Sequence, residues 1–217
     1  MSSIGLVILA AGASIRMGTP KQLLLYQGKS LICRTVEAAI ASSCNSIVVV
    51  LGAYAEQIKP EIAQYDIQFT DNNQWSAGMG TSIQAGIQAL SQTHRELEAA
   101  IFLVCDQPFI STEIIDQLIA TYHVNHKSIV ASEYAGTLGV PALFNYNIFS
   151  ELVSLQSTTG AKQIIYNHIS DVIGIPFPQG LVDLDTPEDY QQLLNNPVIL
   201  PGVKVAKTLL AKHCLTL

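Results

Sequence analysis

Three short runs constrain this chain more than any other feature: residues 4–9 (IGLVIL), 46–51 (SIVVVL) and 99–104 (AAIFLV). Apart from Gly5 and Ser46, every residue in them is apolar, which predicts strands covered on both faces rather than on one. Helical spacing fills the intervals. Leu31, Ile32, Val36, Ala39 and Ile40 share a stripe over residues 30–41, behind Ser30 as cap. Further helices are predicted over 53–64, 78–90, 111–122 (Ser111 as cap, Glu113 in the first turn), 146–155 and 160–168. Shorter strands are predicted near 67–69, 128–132, 139–144 and 172–175. Thr186-Pro187-Glu188-Asp189 opens a last helix, with Thr as cap, Pro at its first position and acids in its first turn. Strands alternating with helices give an α/β fold: one three-layer α/β/α domain over residues 1–195 with a mostly parallel sheet. Asn196-Pro197 and Pro201-Gly202 then break the chain. Residues 196–217 read as a tail, helical over 203–214, that packs on the domain or forms a dimer contact.

Composition narrows the classes. Hydrophobic residues at 49% against 13% charged exclude a disordered chain, and a net charge of −6 argues against a general nucleic-acid binder. The apolar N-terminus has no cation before Arg16, so it reads as a strand and not as a signal peptide. No run approaches the ~18 residues of a membrane span. Cys33, Cys44, Cys105 and Cys214 lack paired spacing and read as core fillers of a cytoplasmic protein.

The loop after the first strand carries the chemistry. Ala10, Ala11, Gly12, Ala13 and Ser14 have no bulk, so a ligand can approach the backbone, and the cations Arg16 and Lys21 follow. That combination suits a triphosphate; the same residues are also compatible with an ordinary tight turn carrying two solvated cations. It is neither a P-loop, which ends Gly-Lys-Ser/Thr, nor a dinucleotide fingerprint, which needs three glycines. Asp106 stands just beyond the third buried strand, with Pro108 ending it. Its carboxylate suits a metal such as Mg²⁺ or, equally, a local turn. Asp183 and Asp185 alternate with Leu184, so both acids share a face. Asn72, Gly78, Gly80, Ser82 and Gly86 offer close approach and polar partners to a nucleoside, or simply a glycine-rich helix start. Trp75 reads as a core or lid residue, and His123 with His126 as a solvated helix end.

LAAGASIRMGTPKQLLL, NNQWSAGMGTSIQAG, LVCDQPFIS and DLDTPEDY together resemble, in the same order, the MobA-like nucleotidyltransferases. The nearest branch by these motifs is the molybdenum-cofactor cytidylyltransferases, related to the molybdopterin guanylyltransferases and the isoprenoid-pathway cytidylyltransferase. The resemblance implies a Rossmann-like fold and Mg²⁺-dependent transfer of a nucleoside monophosphate from a triphosphate to a phosphorylated acceptor, with release of pyrophosphate. It implies Arg16, Lys21 and Asp106 as catalytic residues and Asp106 with Asp185 as metal ligands. It assigns Leu9, Ala10, Ala11, Gly12, Arg16, Lys21, Asn72, Gly78, Gly80 and Ser82 to the nucleotide. CTP is favoured over GTP because Ala11 stands where the guanylyl branch has a second glycine. The acceptor-side positions, Val140, Thr158 and Lys162, depart from the family's His, acid and Arg. A sugar-phosphate nucleotidyltransferase and a non-catalytic nucleotide-binding protein are the alternatives.

Overall fold

In the computed structural model, which describes residues 3–93 and 96–195, the three apolar runs become the centre of one sheet. In chain order, β1 (Ser3–Leu9) is followed by a small hairpin, β2 (Leu25–Tyr26) and β3 (Lys29–Ser30), then α1 (Leu31–Ile40) and β4 (Ser46–Leu51). Next come α2 (Ala55–Ile62), β5 (Gln68–Asp71), α3 (Met79–Thr93), β6 (Leu97–Val104) and α4 (Thr112–Asn125). A second hairpin, β7 (Ile129–Tyr134) and β8 (Thr137–Asn145), leads to α5 (Phe149–Val153), α6 (Ala161–Asn167), β9 (Val172–Pro176) and α7 (Pro187–Asn195). The main sheet runs in the order β5-β4-β1-β6-β8-β7-β9, and all its neighbours are parallel except those of β8, which is reversed against β6 and β7. The reversal follows from a two-residue turn, Ala135-Gly136, with φ of 50° and 73°; turns of this kind match the twist of a hairpin.

Alternation along β1 builds both halves of the core. Leu6 and Ile8 pack on one side with residues of α1, α2 and α4, while Val7 packs on the other with residues of α3, α5 and α6. Burying both faces explains why these strands read as continuous apolar runs. The chain leaves β1 for β4 on one side and returns to β6 on the other. This reversal opens a crevice at the carboxyl ends of β1 and β6, the place where open α/β sheets take ligands.

The local signals hold with two adjustments. Ser30 accepts a hydrogen bond from Cys33 N at 3.4 Å, and Thr186 and Asp189 cap each other reciprocally at the start of α7. Ser111 sits at the N-cap of α4 without capping it; its hydroxyl hydrogen-bonds the Glu113 carboxylate and lowers that group's pKa. The helix expected over 146–155 is a 3-10 turn, Tyr146–Ile148, running into the short α5. The tail expected over 196–217, with its helix, lies outside the described residues. Among the described residues no helix is long and apolar enough to cross a membrane.

Candidate active site

The loop that follows β1 is held from beneath by its own carbonyls. Gln22, a buried residue, donates through Nε2 to Ala10 O and Gly12 O, both at 3.0 Å. Ala53 N donates to Ala11 O at 3.1 Å, the Tyr54 hydroxyl to Ala13 O at 3.1 Å, and Met17 N with Gly18 N to Ser14 O at 3.0 Å. Five consecutive carbonyls are thus engaged by the protein, so amide N–H groups are what the loop can present to an anion. Gly52 makes this packing possible: a Cβ there would stand 2.6 Å from Ala11 O. Gln22 and Tyr54 carried no signal in the sequence as single polar residues, since their partners are backbone atoms of a distant loop or turn.

Arg16, Lys21, Asp106 and Asp185, four of the charged residues singled out from the sequence, meet at the mouth of the crevice. Lys21 Nζ lies 2.6 Å from Asp106 Oδ2 and 3.4 Å from Asp185 Oδ1, and Arg16 Nη2 lies 2.8 Å from Asp185 Oδ2. Burial of the Lys21 ammonium pulls its pKa down, but the charges and hydrogen bonds of Asp106 and Asp185 more than offset this and raise it above its ordinary value. Lys21 is therefore a fixed positive charge at neutral pH and not a proton acceptor.

Residues 183–185 reach this place by a short chain of contacts. Leu184 N donates to Asp106 O at 2.9 Å, and the fully buried Leu184 joins Met17, Tyr26, Leu31 and Leu193 in a small separate core. Met17 neighbours Arg16 in the chain, so one apolar cluster positions both members of the Arg16–Asp185 pair. Beside it, Gln107 Nε2 donates to Val140 O at 3.2 Å and Gly180 O at 3.0 Å, tying the end of β6 to β8 and to the turn before Asp183. The Tyr134 hydroxyl is pushed up to about 12, chiefly by burial, with the negative charges of Asp183 and Asp106 adding to it.

A cavity of about 270 Å³ opens beside the charged cluster. Leu9, Ala11, Gly12, Lys21, Gln22, Trp75, Gly78, Met79, Ser82, Val104, Cys105 and Asp106 line it. Ala10 is buried behind the loop. Asn72 does not line the cavity: its Nδ2 donates to Thr81 Oγ1 at 2.8 Å and Ser82 Oγ at 2.9 Å, and its Oδ1 accepts from Gln74 N. Asn72 thereby orients Ser82. Gly78 and Gly80 have a packing reason for being glycine, since a Cβ on either would collide with the backbone carbonyl of Ser157 or Gln156. Gly80 N also donates to Ser157 O at 2.9 Å. Val140, Thr158 and Lys162 do not line this cavity, although the Thr158 backbone lies against Gly78, which does. Val140 packs against the core, Thr158 is exposed, and Lys162 is exposed with its ammonium 5.8 Å from the Tyr166 ring. His123 and His126 are exposed at the end of α4, as expected for a solvated helix end.

The sequence profile of the MobA-like NTP transferase domain matches residues 6–172, most of the chain. The chain belongs to this family. It is a nucleotidyltransferase on that basis. Among curated proteins it is 33% identical over 58% of its length to "Nicotine blue oxidoreductase" of Paenarthrobacter nicotinovorans, a match that spans 60% of that relative. It is 23% identical over 88% of its length to the Escherichia coli "Molybdenum cofactor cytidylyltransferase", spanning 95% of that protein. Among solved structures, Rv0371c of Mycobacterium tuberculosis in complex with manganese superposes with a TM-score of 0.74 at 24% identity, covering 89% of this chain and 99% of that chain. That likeness establishes the shared fold.

The donor set of this nucleotidyltransferase fits a small hard cation. Among the described residues no group of three or more His, Cys, Asp and Glu gathers as a metal cage. Asp106 and Asp185 instead present two carboxylates to one point, which the Lys21 ammonium touches. Two carboxylates, completed by phosphate oxygens and water, are the customary protein share of a Mg²⁺ site at a nucleotide.

Proposed function

We propose that this nucleotidyltransferase transfers CMP from CTP to a phosphorylated small molecule, releasing pyrophosphate, with Mg²⁺ as cofactor. The observation that carries the reading is the meeting of Arg16, Lys21, Asp106 and Asp185 beside a loop whose carbonyls face inward. An acceptor phosphate oxygen attacks the α-phosphorus, forming a new P–O bond as the bond to the bridging oxygen of the leaving pyrophosphate breaks. The loop amides and Gly12 receive the phosphates, and Lys21 and Arg16 neutralise the charge that builds on the leaving group. Asp106 and Asp185 would hold Mg²⁺, which supplies further charge stabilisation at the phosphates. Positioning does the rest, with no covalent enzyme intermediate. Ser82 and Trp75 face the nucleoside end of the cavity.

CTP is favoured over GTP because Ala11, one of the residues lining the cavity, stands where the guanylyl branch has a second glycine, and the added methyl limits how closely a nucleotide can approach the loop. The molybdenum cofactor is the first acceptor to try, on the strength of the Escherichia coli relative; Val140, Thr158 and Lys162 are the positions where acceptor choice would differ. The test is pyrophosphate release by the purified protein with each of the four triphosphates and a panel of phosphorylated acceptors, with and without Mg²⁺. Mg²⁺-dependent release with CTP supports the reading, and release that ranks GTP well above CTP overturns the base assignment. A second reading, an oxidoreductase, rests on the similarity to the Paenarthrobacter protein. Reduction of a dye by an added electron donor, with no pyrophosphate released on any acceptor, would favour it.

A further inference from the structure

We propose that Lys21 is the resident counter-ion of the two metal-binding carboxylates, and that it must leave them before a divalent cation can enter. The inference rests on the metal site named in the proposed function. Lys21 Nζ occupies the point shared by Asp106 Oδ2 (2.6 Å) and Asp185 Oδ1 (3.4 Å), while Arg16 holds the other oxygen of Asp185 at 2.8 Å. Two negative charges therefore face two positive ones, so both carboxylates are already paired before a divalent ion arrives. Without a counter-ion the carboxylates of Asp106 and Asp185 would repel each other; Lys21 keeps them together and aimed at one point.

Lys21 has somewhere to go. It lines the cavity together with Gly12 and Asp106, on a flexible four-carbon stem. A triphosphate entering that cavity brings several negative charges and offers the ammonium a new partner. The carboxylates are then released to the metal that accompanies the phosphates. Metal and triphosphate thus bind as one event, and the metal alone binds poorly. This role is distinct from stabilising the leaving group, because it acts on metal affinity in the absence of any nucleotide.

The consequence runs against ordinary expectation: removing a cation from the site tightens metal binding. Mn²⁺ binding to the full chain, without nucleotide, is measured by electron paramagnetic resonance or calorimetry for the wild type, Lys21→Ala and Lys21→Met. Lys21→Met retains an unbranched apolar stem, and melting curves confirm that each variant is folded. Both variants are expected to bind Mn²⁺ about tenfold or more tightly than the wild type, and Asp106→Asn added to either should abolish the gain. Mn²⁺ affinity in both variants equal to or weaker than in the wild type overturns the counter-ion role. If Asp106→Asn leaves Mn²⁺ binding of the Lys21 variants untouched, the carboxylates are not the metal site, and the metal assignment in the proposed function falls with the inference.

Discussion

On one side of the crevice, every backbone carbonyl from Ala10 to Ser14 has a partner inside the protein, and Lys21, Asp106 and Asp185 interlock at its edge. On the other side Thr158 and Lys162 stand in solvent, and Val140 contributes its carbonyl to Gln107 and Tyr134 while its side chain packs on the core. The first region is fixed by backbone packing, so its residue types are dictated by the fold. The second leaves its side chains loosely constrained and free to differ between relatives. On the proposed function, the first region would be the nucleotide site, which tolerates little change, and the second the acceptor side, where specificity can differ at low structural cost.

The comparison breaks if a charged residue of the tight half is dispensable. Asp106→Ala or Asp185→Ala should lower turnover by roughly a hundredfold or more, since several kcal/mol of charge stabilisation are removed at about 1.4 kcal/mol per factor of ten. Mg²⁺-dependent pyrophosphate release with an unaltered melting curve is the check, and near-normal turnover in either variant would exclude that residue. Leu184→Ala probes the packing behind the charges. It should destabilise the fold by about 2–5 kcal/mol, because Leu184 is fully buried in the small core with Met17. Urea unfolding reads this directly, and a change below about 1 kcal/mol would show that this small core does not fix Asp185.

Lys21→Ala should cost about 1.5–3 kcal/mol of transition-state stabilisation, a loss of roughly ten- to a hundredfold in turnover. CMP affinity, measured by calorimetry, should hardly change, because a monophosphate lacks the groups that Lys21 serves. Equal losses for CTP and CMP would move Lys21 away from the leaving group. The loose half should respond in the opposite direction. Val140→His combined with Thr158→Asp restores two side chains typical of the cytidylyltransferase branch and should raise the initial rate with molybdenum cofactor, CTP and Mg²⁺ about tenfold, or ~1.4 kcal/mol. No gain would mean that the acceptor side is not set by these two positions.

The same contrast explains what the sequence allowed to be read. The central strands were visible because burial on both faces leaves an unbroken apolar run, and the carboxylate at Asp106 because a strand ends beside it. The pairing of Asp106 with Asp185 was accessible only through the motif order, since spacing along the chain says nothing about Leu184 N meeting Asp106 O. The reversal of β8 turns on Ala135-Gly136 and the β2–β3 hairpin on Gln27-Gly28, where φ is 52° and 83°; neither pair is one of the usual hairpin dipeptides, so neither turn was legible in advance. Gly78 and Gly80 carried a double meaning. Their freedom from side chains reads as room for a nucleoside, and the fold also uses it to admit the backbone of Gln156 and Ser157. Asn72 likewise reads as a ligand for a base, and in the fold its side chain anchors Ser82. Polar residues whose partners are distant backbone atoms, such as Gln22 and Gln107, become visible only once the chain is folded.

The central claim is that Asp106, Asp185, Lys21 and Arg16 form one metal-and-triphosphate centre. A crystal grown with CTP and Mn²⁺, examined for the anomalous signal of the metal, tests it most directly and requires no knowledge of the acceptor. The account expects a single peak between the carboxylates of Asp106 and Asp185, phosphate oxygens beside it, and the Lys21 ammonium displaced onto the triphosphate. A metal bound elsewhere, or a triphosphate that leaves Lys21 still bridging the two aspartates, would contradict it.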